Sequence, residues 1–76
     1  MPLLGVVEKK IIAENIGQAV RKIRIERGLS MQQLATLAEI EKSQIYRIEN
    51  GKVDARVSTL YILAKVLNVR VQAFLE

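Results

Sequence analysis

Two short apolar runs lie close together in MQQLATLAEIEKSQIYRIEN, Met31 to Asn50, and they leave little choice of architecture. Leu34, Ala35 and Ala38 make up one run, Ile40, Ile45 and Ile48 the other, and the steps of three and four residues from 34 and 35 to 38 and from 45 to 48 are those of one helix face. Only about three residues separate the two predicted helices, which allows a tight turn and a steep crossing but no strand or long excursion. Ala35 is small where two such helices would approach. Ser30 and Gln33 complete a Ser-x-x-Gln capping box, so the first of these helices starts there. Glu41 marks the start of the second, where its carboxylate can cap or sit near the positive end of a helix over about 41–50. Asn50-Gly51 stops it with residues that tolerate left-handed backbone.

The flanking segments read the same way. Between Ile11 and Gly28, Ile12, Ile16, Ala19, Val20 and Ile23 recur at helical spacing, with Arg21, Lys22 and Glu26 between them. Gly17 inside this helix costs about 1 kcal/mol relative to Ala, which points to close backbone packing or to a poorly formed first turn. Lys52 to Arg56 is a polar connector, and Val57, Leu60, Leu63, Ala64 and Leu67 predict a further helix that Asn68 can close. Val71 to Leu75 suits a last short helix. With no hairpin signal, repeat or low-complexity tract, the chain is expected to be all-α, a compact four- to five-helix bundle. Residues 1–13 are expected as an N-terminal arm or extension and 14–76 as the folded unit. Leu3 to Val7 suits a disordered tail, an arm across a partner or a cover for the fourth helix.

Composition narrows the function. A chain of 76 residues and 8.6 kDa supports one modest core. It has neither Cys nor His, which removes disulfides, zinc fingers, thiolate nucleophiles and imidazole bases. The carboxylates form no recognisable acid-base or metal motif, so no enzymatic activity, cofactor or metal is expected. A net charge of +4 and a pI near 9.8 favour a polyanionic partner. The opening MPLLGVVEKK lacks the basic segment and long apolar stretch of a secretory signal, and nothing approaches the ~20 apolar residues of a membrane span. A cytoplasmic protein with no membrane partner and no effector-sensing domain is expected.

The helix at 41–50 would expose Lys42, Ser43, Gln44, Tyr46, Arg47 and Asn50 on one face, at a width the DNA major groove admits. Arg47 can donate a bidentate pair to guanine, and Gln44 can both donate to and accept from adenine, each pair being worth ~1–3 kcal/mol of discrimination. Tyr46 can touch a thymine methyl or pack on the bundle equally well. Glu49 and Asp54 are the only acids from Lys42 to Arg56. A solvated charged surface is the competing reading of this stripe.

The segment GLSMQQLATLAEIEKSQIYRIENGK, followed by STLYILAKVLNV, resembles the helix-turn-helix domain of Cro and phage-repressor type, also called the xenobiotic response element family. The resemblance covers about Ile16 to Leu75. It implies a lambda-repressor-like bundle that presents its third helix to double-stranded DNA, as a homodimer on a pseudo-palindromic operator. It assigns base contacts to Lys42, Ser43, Gln44 and Arg47 and phosphate contacts to Asn50 and Lys52. It also implies an ion pair between Arg24 and Glu49 that locks the third helix against the first. Three positions depart from the family pattern. Glu39 stands where Gly is common in the turn, and because a left-handed backbone is strained at Glu, the turn is expected to differ locally. Met31 replaces a Gln that touches phosphate, a contact Gln32 or Gln33 can only partly restore. Ala55 replaces a connector Pro.

The fourth helix carries Tyr61, Ile62 and Val66 beside its core face, and with Phe74 or Leu75 these make a candidate dimer patch. A broader core covered by the N-terminal segment is the alternative. The leading expectation is a sequence-specific transcriptional regulator, nucleoid-associated when bound to DNA. The competing one is an antitoxin-like protein-interaction module with secondary DNA binding and a second protein as its partner.

Overall fold

The computed structural model describes residues 2–75, and the side chains of residues 8–75. Four α-helices follow in chain order, α1 (Pro2–Glu26), α2 (Met31–Ala38), α3 (Lys42–Glu49) and α4 (Val57–Leu67), and a 3-10 turn, Val71–Phe74, ends the fold. The described residues include no strand. Nor is any described helix long and apolar enough to cross a membrane.

The first helix begins at Pro2 rather than near Ile11, so of the arm or extension expected over residues 1–13 the described part is helical and extends α1. Pro suits a first helical position because the amide it lacks would have no partner there. The side chains of Leu3 to Val7 lie outside the described residues. Ile12, expected to face the core, is 54% exposed, and its neighbour Ile11 is exposed as well. The reason is geometric, since the bundle covers α1 only from about Ile16 onward, where Ile16, Ala19, Val20 and Ile23 pack on the core.

Val20, Leu34, Ala35, Ala38, Ile45, Ile48, Leu60, Leu63, Ala64, Leu67 and Phe74 form that core. Val57 does not join it. It is exposed at the first position of α4, while Thr59, which reads as a polar first-turn residue, is buried. Phe74 is also a correction, since it was expected on a dimer patch and is fully enclosed. The 3-10 turn folds its ring inward, and Val66 likewise packs against the core. Phe74 leaves the candidate patch, while Val66 is half-buried.

All four helices end with one backbone device, in which a residue of positive φ lets its own amide and the following one reach back to free carbonyls. Gly28 and Gly51 supply it for α1 and α3, Glu39 and Asn68 for α2 and α4. Glu39 therefore adopts the left-handed conformation after all (φ 57°, ψ 41°), and the turn is not locally different. It is held by Glu39 N–H to Thr36 O at 3.2 Å and Ile40 N–H to Ala35 O at 3.0 Å, while Ile40 packs against the core. Beyond the end of α1, Arg27 Nε donates to Leu67 O at 2.9 Å and so satisfies a terminal carbonyl of α4.

Candidate nucleic-acid interface

Helix α3 is eight residues long, about 12 Å at 1.5 Å per residue, and is set between α1 and α2. Ile45 and Ile48 root it in the core. At its start Glu41 has the extended backbone of a cap but its side chain makes no capping hydrogen bond, so of the two roles open to its carboxylate the side-chain cap does not form. The start of α2 behaves as its sequence predicts. Ser30 Oγ accepts from Gln33 N–H at 3.0 Å, and Gln33 Oε1 accepts from Ser30 N–H at 2.8 Å.

Opposite Ile45 and Ile48, the side chains of Lys42, Ser43, Tyr46, Arg47 and Asn50 are exposed, and Gln44 is half-buried. Lys52 continues the exposed surface beyond Gly51. Asn50 Nδ2 donates to Tyr46 O at 2.8 Å, which ties that amide to the end of its own helix. Of the glutamines at the start of α2, Gln33 is engaged in the capping box and Gln32 Nε2 donates to Thr36 Oγ1 at 3.2 Å. Met31 packs against the core.

Beneath this surface the Arg24 guanidinium grips Glu49 with two hydrogen bonds, Nε to Oε2 at 2.6 Å and Nη2 to Oε1 at 3.0 Å. Its third branch, Nη1, donates to Leu29 O at 2.8 Å. One side chain thus joins α1, the α1–α2 linker and the last turn of α3, and both charged groups are buried. The pair also withdraws Glu49 from the outer surface, where a carboxylate would repel phosphate. Asp54 lies 3.6 Å from Lys9, in an exposed pair. The outward side of α3 is therefore positive and carries hydrogen-bonding groups of both senses.

Gly17 sets how close α1 and α3 come. A Cβ there would overlap Ile48 O and stand 2.7 Å from Glu49 O, so the first helix rests directly on the backbone of the last turn of α3. Close packing is the reason for this glycine.

The structure separates the members of the candidate dimer patch. Tyr61 and Ile62 line a hollow of about 590 Å³ with Lys65, Val69 and Val71, whereas Leu75 lines another with Ile12 and Ile16. Sequence reasoning missed the basic side chains that α1 brings beside α3. Lys9 and Lys10 line one hollow with Lys52, and Arg21 lines a second with Asn50. Only the charge and spacing of these residues along the first helix could have hinted at it.

Two short helices at a tight turn, the second buried on one side and polar on the other, define a DNA-reading module. Residues 20–74 match the helix-turn-helix family model, and the chain belongs to that family, in its Cro and phage-repressor type. It is 39% identical over 67 residues to the control protein C.SmaI of Serratia marcescens, covering 88% of this chain and 75% of that protein. It is also 40% identical over 55 residues, 72% of this chain, to a putative helix-turn-helix transcriptional regulatory protein of Methanothermobacter thermautotrophicus, of which it spans only 18%. Among solved structures, the restriction-modification controller protein C.AhdI of Aeromonas hydrophila superposes with a TM-score of 0.79 at 26% identity, over 82% of this chain and 94% of that one.

Proposed function

We propose that the chain is a sequence-specific DNA-binding transcriptional regulator that inserts α3 into the major groove of double-stranded DNA. The observation that carries this reading is α3 itself, rooted by Ile45 and Ile48 with Arg47, Ser43 and Lys42 outward and Glu49 neutralised by Arg24. A helix about 10–12 Å across with its side chains suits a groove about 12 Å wide. Arg47 and Gln44 are the proposed base readers, with Lys42 and Ser43 contacting bases or positioning the first turn. Asn50 and Lys52 take phosphates, and Gln32 and Gln33 supply weaker contacts at the start of α2. The DNA-binding unit is residues 14–76, with 1–13 as an extension. Tyr61 and Ile62 support a homodimer that places two copies of α3 about 34 Å apart on a pseudo-palindromic site.

Selection of bound sites from random duplex DNA tests the reading. The wild type should yield inverted half-sites. Arg47→Ala and Gln44→Ala should each relax one position of the half-site and lose ~1–3 kcal/mol of discrimination there. Equal binding to all duplexes by the wild type would refute sequence-specific recognition.

A further inference from the structure

The amino-terminal part of α1 lies outside the family match at 20–74, yet it reaches the same side of the molecule as the end of α3. A hollow of about 280 Å³ is lined by Lys9, Lys10 and Lys52, together with Asp54. Next to it, a second of about 190 Å³ is lined by Gln18, Arg21 and Asn50. Between them the Glu14 side chain lies against Gly51, where a Cβ would stand 2.7 Å from its Cγ. The two hollows, one on either side of this Glu14–Gly51 contact, make up a trough along the flank of α3.

We propose that this trough is a second DNA-backbone contact, in which Lys9 and Lys10 hold phosphates beside those taken by Lys52. The inference rests on the DNA-binding reading above and extends the footprint along α1, outside the helix-turn-helix itself. Four cations face the trough, Lys9, Lys10, Arg21 and Lys52, against two acids that face it free of a buried partner, Glu14 and Asp54. Glu49 also lines it, but its carboxylate is held by Arg24. From Lys10 to Arg21 the helix advances about 16 Å, enough to follow several phosphates at 3.4 Å of axis per nucleotide of one strand. Lys9 and Asp54 are 73% and 76% exposed at their side chains, so their pairing is screened and readily exchanged for a phosphate. Lys52 belongs to both surfaces and makes the trough continuous with the face of α3.

Affinity for a mixed-sequence duplex and for the selected site, measured across a salt series, tests the proposal with Lys9→Gln, Lys10→Gln and the double variant. Lys22→Gln is the charge-matched control, because Lys22 lines a hollow with Ala73 on another side of α1. The slope of about −0.9 per neutralised phosphate predicts roughly eightfold weaker binding per lost contact and protomer at 0.1 M salt, with a shallower slope. Both duplexes should weaken by the same factor, since phosphates carry no sequence. Asp54→Asn should tighten binding by releasing Lys9. A double variant that behaves like Lys22→Gln, while the wild type still binds with salt-dependent affinity, would overturn this inference alone. A wild type that binds neither duplex would overturn the DNA-binding reading as well.

Discussion

Replacing Glu49 by Ala isolates the energetics that orient α3. In the native fold Arg24 gives two hydrogen bonds to this carboxylate and one to Leu29 O. Without the carboxylate the guanidinium stays buried beside α3 with only the carbonyl for compensation. A stranded charge of this kind costs about 3–5 kcal/mol, whereas an exposed pair would cost at most about 1. A domain of this size holds roughly 4–11 kcal/mol in total, so the loss consumes a large share of its stability. At roughly 4–8 °C per kcal/mol, the melting temperature should fall by about 12 °C or more. Urea unfolding followed by circular dichroism measures the difference directly. The double variant Arg24→Met, Glu49→Leu removes both charges and should recover most of it, because an apolar pair has no charge to strand. If Glu49→Ala lost less than about 1 kcal/mol, or if the double variant were no better than the single one, the pair would not be the clamp described here.

Two further substitutions test the backbone geometry. Gly17→Ala gains about 1 kcal/mol of helix propensity but forces a methyl against the carbonyls of Ile48 and Glu49, a clash of about 1–3 kcal/mol, so a net loss of up to about 2 kcal/mol is expected by denaturant titration. A stabilised variant would mean that the two helices are not in backbone contact. Glu39→Gly removes a left-handed non-glycine residue and should raise stability by up to about 1 kcal/mol, read as a higher urea midpoint at unchanged m-value. A lower midpoint would count against the strained turn.

Much of the architecture was legible because burial here follows helical period. Leu34, Ala38, Ile45, Ile48, Leu60, Leu63 and Leu67 occupy the inward stripes that their spacing predicts. The pairing of Arg24 with Glu49, separated by 25 residues, followed from family resemblance and not from any local signal. Period defines a stripe but not how far the rest of the bundle reaches along it. Ile12 continues the pattern of α1 past the point where anything covers it, and Val57 does the same at the start of α4. Phe74 shows the converse, because its burial depends on how a 3-10 turn returns the chain to α1. Propensity also misled at Glu39, where the capping hydrogen bonds and the seating of Ile40 outweigh the intrinsic cost of the backbone. Within the site, the polar face of α3 was readable. The approach of Lys9, Lys10 and Arg21 to its flank depends on the crossing of α1 and α3, which no spacing within one helix encodes.

The bond from Arg27 to Leu67, across forty positions of chain, has a bearing on local opening. A terminal turn ordinarily frays by itself, exchanging its amide hydrogens long before the interior does. Here the end of α1 and the end of α4 are clasped to each other, so neither can unwind without releasing the other. Their slow-exchanging protons should form one cooperative unit, and removing the Arg27 guanidinium should quicken exchange in both places at once.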